Sequence, residues 1–189
     1  MTFKLLSKAA LALAAMGLCL SAASAAYKSE YKLSVVPGAS SGWGQTATFF
    51  ADCVRQKSNG RINIKPYFGA QLMAGKQTSE LLLVRRGAID FALASTINWS
   101  PQIKELNLTA LPFFVANNPD RYKAIDAIEA GKSGKMLEKA IEKTGVKFLG
   151  WSENGFRELT TSKGPIEKPE DMKGMKLRVC GTPIFIDIF

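Results

Sequence analysis

Apolar and polar positions alternate along "YKLSVV", residues 31–36, with Tyr31, Leu33 and Val35 on one side. That period of two predicts a strand. The turn-rich "PGASSGWG" follows, and then a helix from about Gln45 to Ser58. It places Phe49, Phe50, Cys53 and Val54 on one face, and Gly60 fits its stop. "RINIKPYF" alternates again, with Ile62 and Ile64 inward, and predicts a second strand. "GKQTSELLLVRRGAID" predicts a helix from Gln77 to Arg86 closed by Gly87. "AIDFALAS" is a continuous apolar run, the mark of a strand buried on both faces.

The order strand–helix–strand–helix–strand predicts an α/β domain with a largely parallel sheet. Residues 111–115, "LPFFV", are apolar, and Asn118-Pro119 opens a helix or helix pair running to Thr144, with Gly145 as its stop. Three further strands are expected, in "VKFLGW", "GFRELTTS" and "MKLRV", with one helical turn in "PEDMKG". Thr182 caps a final helix, with Pro183 in its first position.

The first 25 residues read differently. Lys4 and Lys8 give a charged start, residues 9–20 form an apolar core too short to span a bilayer, and Ala23-Ser24-Ala25 is a small-residue cleavage pattern. This predicts a secretory signal over residues 1–25, cut before Ala26 or just after it. Cys19 follows Leu18, where a lipoprotein site would want a small residue, so lipid anchoring is not expected. No later segment is long and apolar enough for a membrane helix. Cleavage removes two lysines and no acid from a net charge of +9, leaving a basic protein that favours anions. Its lysines and arginines are scattered, which with export disfavours nucleic acid. Cys53 and Cys180 then remain, and two buried free thiols are expected, although export permits a disulfide.

The chain contains no histidine, which removes Ser-His and Cys-His nucleophile systems and His-containing zinc sites. No metal or cofactor is expected. "DAIEAGKS", residues 126–133, imitates a phosphate-binding loop, but Asp126 stands at the first glycine position and the preceding segment is helical. It predicts a break between two helices.

Ligands of open α/β sheets bind beyond the carboxyl ends of the strands. The candidate loops are therefore residues 37–44, 95–100, 151–155 and 180–182. Trp43, Ser95, Thr96 and Trp151 are the candidate contacts within them. Arg157 and Arg178 lie on neighbouring strand-like segments near their ends, and an arginine fork matches a carboxylate in a way lysine cannot.

At this point the chain resembles a known family. "SNGRINIKPYFGAQL", "ELLLVRRGAIDFALAS", "LPFFV" and "GFRELTTSKGPIEKPEDMKGMKLRVCGTPIF" are similar in order and spacing to the periplasmic solute-binding proteins of TRAP transporters, the DctP-like group. The resemblance implies two α/β lobes joined by a hinge, capture of a small organic acid in the cleft, and delivery to a pair of membrane subunits. Arg178 matches the arginine that makes the paired carboxylate contact, and Arg157 the one that assists it. On this basis residues 26–145 form the first lobe, with a helical segment over 119–144, and residues 146–189 begin the second. Cys180 stands where the family often has proline. Relatives are much longer, so a truncated second lobe is expected, with unpaired strand edges and weak binding by this chain alone. A receptor of an ATP-driven importer and a non-functional remnant stay open as alternatives. A secreted enzyme lacks a nucleophile–base pair.

Overall fold

The computed structural model describes residues 27–115, 117–155 and 157–189. The expected signal sequence lies outside the described residues. Three strands form one parallel sheet: β1 (Tyr31–Val35), β2 (Ile64–Tyr67) and β3 (Phe91–Leu93), in the order β2-β1-β3. Tyr31 pairs with Ile64, and Val35 with Leu93. Parallel neighbours need crossovers, and helices supply them. α1 (Gly42–Lys57) joins β1 to β2, and α2 (Glu80–Arg85) leads into β3. Beyond β3 come the short α3 (Thr96–Trp99), a 3-10 segment (Lys104–Ala110), α4 (Arg121–Ala130), α5 (Lys132–Glu142), a 3-10 turn (Pro169–Met172) and α6 (Pro183–Ile188).

The period of two in β1 divides the core into two layers. Leu33 and Val35 face α1, where they are buried with Ala47, Ala51 and Ile64. Phe91 and Leu93 of β3 pack against the same cluster, and Ala92 and Ala94 against the other one. That second layer gathers Leu81, Trp99, Ile103, Leu106, Leu137, Ala140 and Ile141. α5 reaches it with a stripe of Gly134, Leu137, Ala140 and Ile141. Gly134 is required there, because a Cβ would stand 1.9 Å from the Glu129 carbonyl oxygen at the close approach of α4 and α5. The break between these helices falls at Gly131, within the imitation phosphate loop, as the sequence predicts.

Several expectations change. The first helix begins at Gly42, so Trp43 lies in its first turn and not in a loop. Its inner stripe is Gly44, Ala47 and Ala51, joined by partly buried Phe50 and Val54. Phe49 lies about 200° around the helix from Ala47 and is 71% exposed, so it does not belong to the inner face. Small residues hold that face because the helix lies close on the sheet. The helix expected over residues 77–86 opens as a 3-10 turn, Gln77–Ser79, before α2. Both thiols are free; Cys180 is buried, while Cys53 is only half-buried.

The three strands expected in residues 146–151, 155–162 and 175–179 are not formed among the described residues. An extended apolar segment becomes a strand only when its backbone groups meet a neighbour's. Here Val146, Phe148 and Trp151 use their side chains to cover the second layer instead. Thr182 and Pro183 do open the last helix, but the Thr182 hydroxyl makes no capping bond.

Leu81 is completely buried at the centre of the second layer. Leu81→Ala should therefore cost about 3 kcal/mol of stability, read as a lower midpoint in urea unfolding.

Candidate functional site

β1 ends at Val35, and the chain turns through residues 37–40 into α1. Ser41 caps that helix, its Oγ accepting the Gly44 N–H at 3.1 Å. The turn presses on the helix so closely that a Cβ on Gly44 would lie 2.4 Å from the Ala39 carbonyl oxygen. This packing sets half-buried Trp43 at the rim of a cavity of about 460 Å³ lined by Pro37, Ser41, Gly42, Thr46 and, from a distant segment, Ser152, Glu153 and Asn154. The Glu153 carboxylate accepts the Gly155 N–H at 2.7 Å, which fixes the turn on that side.

Trp151 stands beside this cavity without lining it. Its ring packs 4.7 Å from Phe148 on the second layer, and its buried Nε1 finds no acceptor among the described residues. Ser95 and Thr96 open α3 after β3, but neither lines the cavity. The Thr109 hydroxyl donates to the Leu106 carbonyl at 3.1 Å, so the Thr96 hydroxyl donates to Thr109 at 2.8 Å.

The arginines belong to a different neighbourhood. Val179 and Cys180 pack inward with Ile97 and Phe185, whereas Arg178 is exposed. Arg157 is also exposed, with its guanidinium 4.9 Å from the Phe185 ring. Ile97 follows Thr96, so the docking of α6 on α3 brings the Arg157 side chain toward the loop that carries Ser95 and Thr96. The structure thus assembles two groups, Trp43 with residues 152–154, and Thr96 with the segment around Arg157 and Cys180. The described cavities do not join them.

The sequence reading missed the polar centre between these loops. Glu80 is fully buried in the first turn of α2. Its Oε1 accepts from the Ser34 hydroxyl at 2.6 Å and its Oε2 from Trp99 Nε1 at 3.2 Å. Burial pushes the Glu80 carboxyl up to about 7, against the smaller opposing pull of these two donors. A signal was present: Glu80 opens an otherwise apolar run, "ELLLV", and Ser34 interrupts the apolar run of β1.

Because the folded protein holds the Glu80 proton more tightly than the unfolded chain does, it binds more protons between pH ~4.5 and ~7. Stability should be full below that window and fall by about 3 kcal/mol as pH rises through it. Chemical unfolding at pH 4.5, 6 and 8 measures this, and Glu80→Gln should flatten the profile.

Three comparisons bear on this geometry. The family model of bacterial extracellular solute-binding protein, family 7 (DctP) matches residues 33–189. Over 140 residues the chain is 30% identical to the 2,3-diketo-L-gulonate-binding periplasmic protein YiaO of Escherichia coli K12, covering 74% of this chain and 41% of that one. A TRAP periplasmic solute binding protein from Ralstonia eutropha H16, solved with bound (S)-2-acetolactate, superposes with a TM-score of 0.80 at 55% identity, covering 86% of this chain and 51% of that one. Another, from Sulfitobacter sp. NAS-14.1 with bound β-D-galacturonate, gives a TM-score of 0.73 at 27% identity, over 83% of this chain and 50% of that one. The chain spans about half the length of the relatives it matches.

Proposed function

The chain belongs to the bacterial extracellular solute-binding protein family 7, and from that premise we propose that it is the cleft-forming part of a periplasmic receptor that captures a small organic acid and delivers it to TRAP membrane subunits. The observation that carries this reading is the 55% identity to the Ralstonia protein, whose ligand is 2-hydroxy-2-methyl-3-oxobutanoate. That ligand has one carboxylate, one hydroxyl and one ketone. We infer a ligand of the same class for this chain, a short monocarboxylate carrying oxygen at its second and third carbons.

In this reading residues 1–25 direct export and are removed. Residues 26–145 make the first lobe, and residues from 146 onward enter the second. The Arg178 fork takes the carboxylate in a bidentate contact, and Arg157 adds a second positive group. The Ser95 hydroxyl donates from the opposite lobe, the Thr96 hydroxyl turns from Thr109 to do the same, Trp43 walls the cleft and Trp151 backs it from the core side. The only charged group lining the Trp43 cavity among the described residues is Glu153, which suits the hydroxyl end of the ligand and repels a second carboxylate. Binding closes the lobes about their hinge, which desolvates the ion pair and strengthens it. The ligand is released unchanged. The absence of histidine removes Ser-His and Cys-His nucleophile pairs.

The test is calorimetric titration of the full-length protein with (S)-2-acetolactate, succinate and D-glucuronate. The monocarboxylate hydroxy acid should bind most tightly. Arg178→Ala should weaken it by about 2–5 kcal/mol, and Arg178→Lys should not restore it, because an ammonium offers a point charge and not a fork. An unchanged Kd in Arg178→Ala overturns the assignment.

A further inference from the structure

The loop after β3 is tied to the start of α2 by three side-chain hydrogen bonds. Asn98 Nδ2 donates to Gln77 Oε1 at 2.9 Å, Gln102 Nε2 to the Thr78 carbonyl at 2.8 Å, and Trp99 Nε1 to Glu80 Oε2 at 3.2 Å. Only the last of these continues to another element. Glu80 Oε1 accepts from Ser34 Oγ at 2.6 Å, and Ser34 lies on β1 just before the strand end that feeds the Trp43 turn. One carboxyl group therefore links the ends of the two strands that lead into the first turn of α1, with Trp43, on one side and into Ser95 and Thr96 on the other.

The position is an expensive one for an acid. Glu80 and Ser34 are 0% and 1% exposed, and Leu81, Ile103 and Leu106 fill the layer around them. No cation compensates. On the surrounding elements Lys32, Lys76, Arg85 and Lys104 are exposed, Asp90 pairs with Lys28, and none of them forms an ion pair with Glu80 among the described residues. A leucine would fill the same space without the desolvation cost, but it would leave the Ser34 hydroxyl and the Trp99 N–H unpaired.

We propose that Glu80 is a positioning residue of the ligand site: by holding Ser34 and Trp99 on its two oxygens, it fixes the α3 turn that presents Ser95 and Thr96 to the bound acid. It touches no ligand. The inference rests on the receptor reading for the ligand, and on the two hydrogen bonds alone for the link. Glu80 changes charge near neutral pH. A short organic acid is ionised throughout that range, so a change of affinity between pH 6 and 8 reports the protein and not the ligand.

The experiment measures (S)-2-acetolactate binding to the full-length protein at pH 6 and pH 8, for the native protein, Glu80→Gln and Glu80→Ala. The tryptophan emission of each is followed across the same range, with Trp99→Phe as the control that assigns the signal. Native affinity should strengthen about fivefold from pH 6 to pH 8, because the ionised carboxylate accepts from both donors more strongly than the acid does, and a pKa one unit lower in the ligand-bound protein gives that change. Glu80→Gln keeps an acceptor for Trp99 and a donor for Ser34. It should bind as the native protein does at pH 6 and show no pH dependence. Glu80→Ala should bind weakly at both. An emission transition near neutral pH should be present in the native protein and absent from Glu80→Gln and Trp99→Phe. A native pH profile in Glu80→Gln, or native affinity in Glu80→Ala, overturns the proposal. No binding by the native protein at either pH overturns the receptor reading, and the placement role with it. Loss confined to Glu80→Ala supports the inference and leaves that reading standing.

Discussion

Strand β1 has a neighbour on each edge and a different chemistry on each face, and the other described elements of the sheet layer follow from this. Its parallel pairing with β2 and β3 requires helical crossovers on both sides of the sheet. Leu33 and Val35 turn one face into an apolar seat for α1, and small Ala47 and Ala51 let that helix settle on it. Ser34 turns the other way, and it is almost fully buried. A hydroxyl in the middle of a sheet face must find a partner or cost on the order of 1–3 kcal/mol. Glu80 is that partner. The start of α2 is thereby fixed over the sheet centre, and Trp99 is drawn onto the second carboxylate oxygen.

This explains why a short and otherwise weak element such as α3 is well placed. Four residues cannot make a stable helix by backbone bonding alone. α3 is held instead by what its side chains reach: Trp99 on Glu80, Asn98 on Gln77, and Ile97 in the apolar cluster with Cys180 and Phe185. The cluster and the polar pair pull on opposite sides of one turn. The ligand presentation proposed for this loop needs that restraint, since contacts on a mobile segment lose entropy when they form.

The parts of the fold that could be read from sequence are those governed by one period. "YKLSVV" and "RINIKPYF" reveal strands because alternation alone decides which face is buried, and Gly87 and Gly131 mark breaks because the helix cannot pass them. The misreadings arise where two residues of similar hydrophobicity compete for one face. Phe49 and Phe50 are equivalent by type, yet only the angle around α1 decides that Phe50 packs inward. Residues 146–151 failed as a strand for another reason. Periodicity describes a segment's side chains, whereas a strand also needs a partner's backbone. The loops at the strand ends were legible as candidate positions, and Trp43 does border a cavity. The partners of Glu80 were not legible, because they come from β1 and α3, distant in sequence and joined only by the fold.

Electrostatics order the two halves of the proposed cleft. Glu153 is locked into its turn by the Gly155 N–H, so its negative charge stays at the Trp43 cavity. An anion entering that cavity meets repulsion there and attraction from the exposed Arg157 and Arg178. In the proposed binding mode the carboxylate end of a ligand lies toward the arginines and its hydroxyl end toward Glu153. In the proposed site Arg157 is restrained before any ligand arrives, since its guanidinium lies 4.9 Å from the Phe185 ring. A cation–π contact of that kind restrains the guanidinium without using its N–H donors. An arginine so held loses less side-chain entropy on meeting a carboxylate than a free one does. The ring of Phe185 is in turn fixed by Ile97 and Cys180. The same apolar cluster thus steadies a hydroxyl-bearing turn on one side and a cationic group on the other, which is the pairing the proposed capture of a small hydroxy acid uses.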